Sequence, residues 1–311
     1  MDNGLYAYYE IYDQLYENPF VPVKDIASKL EMSEADVNTC LDGMYQSTIL
    51  LGPVISLKPA STYRRYCYFF KTNDPKSLYD SFHDSVVSKS RGVGGWNVMV
   101  VTDKERDSTV GKADCIHSGE KGGTTISRVT HLDWDHSLKD MFSVIGVPDT
   151  ESISYEEGPP LNWSEKEWLL YHAFRLNARQ TPDPVLTKLE IDVKTYQNWL
   201  STLSTAAHVQ PAFNSHGFSN CGMFDFLLKS QYQEQIITIL GLFPCSCAFF
   251  SADNFLLVRF FLTWPGEAKK VDTLLWYLEK YGYCTSWLNS FILSTSPRNF
   301  DLDEVKPFIV R

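Results

Sequence analysis

Between Thr130 and Asp140 the chain reads THLDWDHSLKD, which sets His131, Asp133, Asp135 and His136 within six residues. Imidazoles and carboxylates at this density come close to His-x-His-x-Asp-His, the pattern with which metal hydrolases hold one or two zinc ions. Asp133 stands where the second histidine belongs. A carboxylate there suits iron or manganese, so the departure is not decisive alone. A metal site needs a full ligand set, and no later His/Asp cluster supplies one. The preceding TTISRVTHL alternates as a strand. The stretch therefore reads as a strand-to-helix corner. Asp133 or Asp135 caps the helix HSLKDMFSVIG, and no metal is expected.

Other chemistry-bearing residues are scattered. Seven cysteines (Cys40, Cys67, Cys115, Cys221, Cys245, Cys247 and Cys284) form no Cys-x-x-Cys pair. Their odd number and the lack of an opening signal peptide point to reduced thiols and a cytoplasmic protein. Cys245 and Cys247 would share one strand face, and two thiols are too few for a structural zinc site. Gly92 to Gly95 (GVGG) lacks a following Lys-Ser/Thr and precedes a strand, so it reads as a turn or bulge and not a phosphate loop. SGEKGGTT (Ser118 to Thr125) reads as a hairpin tip between KADCIH and TISRVTHL.

The 311 residues carry 44% apolar and 21% charged side chains, which suits packed domains and excludes general disorder. A formal charge of -10 argues against gripping phosphate backbones by bulk charge. FLLVRFFLTW (Phe255 to Trp264) is the most apolar run, yet it is shorter than the ~18 residues of a membrane span and contains Arg259.

The elements around these residues come as a repeat. SKLEMSEADVNTCLDGM (Ser28 to Met44) aligns with TKLEIDVKTYQNWLSTL (Thr187 to Leu203) at an offset of 159. Tyr66 to Phe82 lies over Phe224 to Leu240, and Trp96 to Thr102 over Asn254 to Phe260, both at 158. Constant order and offset indicate a duplicated unit. Each unit opens with three helical patterns. The first has Leu5, Tyr8, Tyr9, Tyr12, Leu15 and Tyr16 at helical spacing, then VKDIASKL, then a helix capped by Ser33. Ser164 and Glu167 form a capping box in the second unit. ILLGPVISLKP and HVQPAF follow as wings. Strands and helices in the order βαββαβ come next and are clearest from Asn220 to Ser296.

The expected fold is therefore α+β: two repeats, each a winged helix-turn-helix followed by a βαββαβ ferredoxin-like domain. The expected divisions are 1–60, 61–147, a linker at 148–163, 164–216 and 217–311. The arrangement is similar to the leucine-responsive regulatory protein/AsnC family, which is prokaryotic and here suggests an archaeal source. ILLGPVISLKPA, RRYCYFFKTNDPKSLYDSF and GGWNVMVVTDKE carry the resemblance, matching in order that family's wing, first sheet strand with its helix, and Gly-x-aromatic-polar strand.

The resemblance implies a transcriptional regulator with double-stranded DNA as partner, no cofactor, no membrane, and a small-molecule effector. It further implies that the ferredoxin-like domains pair, here within one chain as a pseudo-dimer, with a homodimer as a further option. The second helix of each helix-turn-helix would face the major groove. The expected readers are Lys194, Thr195, Gln197 and Asn198, then Asn38, Thr39 and Gln46, with Lys58, Arg64 and Arg65 on phosphates. Glu34, Asp36 and Asp42 make the first candidate the poorer one. Trp96, Asn97, Asn254 and Phe255 are expected at the effector site, with Phe249, Phe250 and Phe260 near them. These aromatics could equally be sheet core. An enzyme reading stands beside this one. Siroheme decarboxylases resemble the same pairing of domains, and His83, His172, His208 and His216 are the candidate histidines, none in a recognisable motif.

Overall fold

The computed structural model describes residues 3–82, 86–105, 114–263 and 265–297. The fold is α+β, with antiparallel pairing throughout its sheets.

Two helical triads are built alike. The first is α1 (Asn3–Glu17), α2 (Val23–Lys29) and α3 (Glu34–Gln46), followed by strand β1 (Leu50–Leu57). Ser33 caps α3 by accepting the Asp36 amide proton, and Val37, Leu41 and Met44 turn inward. The second triad is α6 (Glu165–Phe174), α7 (Pro182–Leu189) and α8 (Val193–Ala206), followed by β7 (Ala207–Phe213). The Ser164–Glu167 capping box opens α6, and Asp192 caps α8.

Neither triad has a hairpin wing of its own. Instead β1 pairs antiparallel with β7, from Leu50 opposite Phe213 to Leu57 opposite Ala207. Each strand also reaches the other triad's core. Phe213 is fully buried with Tyr12, Leu15 and Met44 of the first triad. Ile55 and Leu57 join Phe174, Trp199 and Leu203 of the second. The wings expected from sequence are thus one shared two-stranded sheet.

The remaining strands are β2 (Tyr66–Lys71), β3 (Val86–Gly94), β4 (Val98–Thr102), β5 (Asp114–Glu120), β6 (Thr125–Ile126), β8 (Gly222–Lys229), β9 (Ala248–Ala252), β10 (Phe255–Leu262) and β11 (Ser286–Pro297). They form one sheet in the order β5-β2-β4-β3-β11-β8-β10-β9-β6. Its two halves have the same internal order and meet along β3 and β11, where Ser290 faces Gly94. A Cβ on Gly92 would stand 2.5 Å from the Phe291 carbonyl, so glycine is what lets the strands close there. At the far side Lys121 bridges to Ala252, bringing the continuation of β5 against β9 and curling the sheet back. Cys67, Phe69, Trp96, Met99 and Val101 from one half then pack with Leu227, Phe250, Ala252 and Leu257 from the other.

Helix α4 (Pro75–Ser81) covers the outside of the first half. The outside of the second half carries α9 (Gln233–Leu240) and α10 (Gly266–Lys280). Helix α5 (Trp134–Val144) also packs there, through Trp134, Leu138 and Met141. It does not lie on the first half, where the sequence pattern assigns it.

Two local expectations are corrected. The sequence pattern PKSLYDSFHDSVV reads as one helix from Pro75, whereas α4 ends at Ser81 and Val86–Gly94 is a strand. KGGT is no hairpin tip, because β6 pairs with β9 and not with β5. No helix among the described residues is long and apolar enough to cross a membrane.

Candidate ligand site

The His/Asp cluster of THLDWDH resolves into two separate pairs. Asp133 accepts the amide protons of Asp135 and His136 and so caps α5, and its carboxylate also contacts the His136 ring at 2.8 Å. These bonds hold the Asp133 carboxyl below the usual range. His131 pairs instead with Asp140 at 2.8 Å. No group of three metal-ligating side chains occurs among the described residues. Cys245 and Cys247 are buried free thiols.

The expected DNA readers divide. Asn38, Thr39 and Gln46 on α3 and Lys194, Gln197 and Asn198 on α8 are exposed. The Thr195 hydroxyl is bound to the Asp192 carboxylate at 2.7 Å. The expected phosphate contacts are committed elsewhere. Lys58 pairs with Glu156 at 2.6 Å, and Arg64 pairs with Glu120 and Glu157. Arg65 is half-buried: its Nε is out of solvent and its Nη2 donates to the Tyr171 hydroxyl.

The expected effector residues do not converge. Trp96 is buried in the sheet interior, edge-on to Phe69. Asn97 clamps Thr72 through two hydrogen bonds, to the Thr72 amide and carbonyl. Asn254 lines a separate cavity of about 230 Å³ with Tyr232 and Tyr283. Phe255 packs on the His117 ring at 4.1 Å. Phe249, Phe250 and Phe260 are core.

Of the four candidate histidines, His83 lies outside the described residues. His172 packs against Trp168 and Tyr171. His216 is exposed beside Glu267 at 3.5 Å. His208 faces a cavity of about 460 Å³ between α1, α9 and the shared wing sheet. Burial lowers its pKa, favouring neutral imidazole.

The chemistry collects where the second triad meets the first half of the sheet. A cavity of about 160 Å³ there is lined by Arg65, Lys121, Arg175, Tyr63 and Tyr171, and no carboxylate is among the described residues that line it. Tyr171 and Arg175 are four residues apart, hence on one face of α6 and the turn that ends it. Arg65 precedes β2 and donates Nη2–H to the Tyr171 hydroxyl at 3.1 Å. The buried Tyr63 hydroxyl has no hydrogen-bond partner among the described residues. Lys121 follows β5 and donates to the Gly122 carbonyl at 2.9 Å and to Thr124 Oγ1 at 2.7 Å. Its ammonium lies 4.2 Å from the centre of the Phe250 ring. Gly122 allows this path, since a Cβ there would stand 2.2 Å from Ser251 Oγ.

Burial, then the nearby Arg65 charge, pushes the Lys121 amine down to about 7. Burial works against the Arg65 charge as well, but the Tyr171 and Tyr63 phenols and Asp103 more than offset it and its pKa rises. The cavity therefore gathers three cationic side chains, with no carboxylate among its described lining residues. Arg65 was legible in the sequence as a cation expected on phosphate, whereas Lys121, Tyr171 and Arg175 were passed over. The available signal was a lysine followed by two glycines, a pattern that brings a backbone and a cation close to a neighbouring strand.

No protein-family profile matches the sequence, and no curated protein matches it. Among solved structures, the chain is similar to the crystal structure of the siroheme decarboxylase NirDL, with 10% identity and a TM-score of 0.39 over 93% of this chain and 91% of that one. The same enzyme in co-complex with an iron-uroporphyrin III analogue gives 9% identity and a TM-score of 0.40 over 93% and 92%. Similarity at this level leaves the activity to be read from this chain's own residues.

Proposed function

We propose that the chain binds a small carboxylic acid at the junction of its second helical triad and its sheet. In this reading the fold is a tandem of winged helix and ferredoxin-like units whose two half-sheets pair within one chain as a pseudo-dimer. One observation carries it: Arg65, Lys121 and Arg175 line a single cavity with no carboxylate among its described lining residues. Cations gathered in a partly buried cavity are costly, and an anionic ligand relieves that cost. A carboxylate suits the planar guanidinium of Arg65, whose Nε is unoccupied. Calorimetric titration with lactate tests the reading. Saturable binding that Arg65→Gln weakens by ~10-fold supports it, and absence of binding contradicts it.

A second reading is a tetrapyrrole-carboxylate protein of the siroheme-decarboxylase kind. The segment from Lys121 to Thr125 borders both the cation-lined cavity and the larger one that His208 faces, so a large polycarboxylate could span the two. Titration with iron uroporphyrin III, followed by the Soret band, separates the readings. A saturable shift that His208→Ala abolishes favours the tetrapyrrole, and an unchanged spectrum favours the small acid. Regulation through DNA keeps the exposed face of α8, with Lys194, Gln197 and Asn198, as its support. Against it, Lys58 and Arg64 are ion-paired with Glu156, Glu120 and Glu157, and Arg65 is bonded to Tyr171.

A further inference from the structure

The geometry of the cation-lined cavity points beyond simple anion binding. We propose that Lys121 condenses with the carbonyl of a small 2-oxo acid whose carboxylate rests on Arg65. This inference builds on the carboxylic-acid site proposed above. Lys121 Nζ lines the cavity and donates to two neutral oxygens, Gly122 O and Thr124 Oγ1. Those two acceptors account for both N–H bonds of an uncharged amine and leave its lone pair free to attack. Among the described residues Lys121 pairs with no acid, whereas Lys58 is paired with Glu156. Arg65 offers its unoccupied Nε to a carboxylate on the same wall, and the unpartnered Tyr63 hydroxyl can hydrogen-bond the carbonyl oxygen. The volume of about 160 Å³ limits the ligand to a few carbons. An amine flanked by another cation in an apolar enclosure is a recognised route to carbonyl addition at neutral pH. The lowered Lys121 pKa, about 7, agrees with that role.

The step balances without an oxidant. The Nζ lone pair forms the N–C bond, the carbonyl π pair moves to oxygen and is protonated, and loss of water gives the C=N bond. The test incubates the full chain with pyruvate and borohydride, then maps the peptides by mass. The expected result is a mass gain of pyruvate less one oxygen atom on the Lys121 peptide. It should be absent in Lys121→Arg and Lys121→Met, the second variant keeping the apolar stem should the first fail to fold. Arg65→Gln should lower the yield ~10-fold at fixed sub-saturating pyruvate. Parallel calorimetry uses lactate, which has the carboxylate and no carbonyl. Lactate binding without a pyruvate adduct overturns the Schiff base and leaves the acid site standing. Failure of both acids to bind overturns both. An adduct spread evenly over surface lysines such as Lys24 and Lys76 overturns the Lys121 assignment.

Discussion

The two junctions between a helical triad and the sheet solve one packing problem in opposite ways. Under α1, Tyr12 accepts the Val129 amide proton at 2.9 Å, and Tyr9 and Tyr16 donate to the Val129 and Ile126 carbonyls. Arg128 closes the edge on Asp13 and Glu17. Phenols meet the backbone groups of the segment that passes beneath, and the one cation is paired. Under α6, Tyr171 stands 159 residues after Tyr12, and Arg175 the same distance after Tyr16. There the space is a cavity, the phenol accepts from a guanidinium, and no carboxylate is among the described residues that line it. The two junctions thus differ: one is filled by satisfied polar contacts, and the other holds a cavity. Buried polar groups that are satisfied stabilise a fold, and those left short of partners mark where a ligand can do so.

The largest effect expected from breaking this contrast comes from the exchanged wing strand. Phe213→Ala should cost ~4 kcal/mol. Hydrogen exchange should quicken in α1 and α3, the partners of Phe213, ahead of α6 and α8. Lys121→Met should stabilise the chain, by about 2 kcal/mol after discounting for partial exposure. The sign depends on pH. Between about 7 and 10.5 the unfolded chain holds a proton that the folded amine has lost, so stability rises across that window. The gain in melting temperature from Lys121→Met should therefore be greatest below pH 7 and fade towards pH 10. Next comes Tyr12→Phe, which strands the Val129 amide and should cost ~1.5 kcal/mol. Tyr171→Phe should cost less, because the Arg65 guanidinium keeps access to the cavity. The smallest effect lies outside both junctions. Asp133→Ala removes the α5 cap for ~1 kcal/mol, and added zinc or chelator should leave the melting temperature of wild type unchanged.

Much of the frame was legible in the sequence because it is local. Helical spacing, Ser33 and Ser164 marked the helices, and alternation marked β8, β10 and β11. What was missed is non-local. Val86–Gly94 contains Ser-Lys-Ser-Arg and lacks apolar alternation, yet it is a strand because β4 and β11 pair with both its edges. The wings read as hairpins because the partner of each lies more than 150 residues away, in the other unit. The site was half legible. Arg65 was visible as a cation, but alternation around it could not say whether it faced solvent or the interior. Lys121 sat in a glycine-rich stretch that resembles a turn. THLDWDH shows the reverse: dense ligand types whose partners are their own neighbours.

The central claim is that the α6 junction holds a carboxylate among cations, one of which is partly uncharged when the site is empty. Lactate titration by calorimetry at pH 7.5, in buffers of differing ionisation enthalpy, tests it most directly. The account predicts saturable binding with net proton uptake as Lys121 recharges beside the anion. The uptake should vanish in Lys121→Met, and the affinity should fall in Arg65→Gln. Absence of saturable heat, or a heat that is the same in every buffer, would contradict the account.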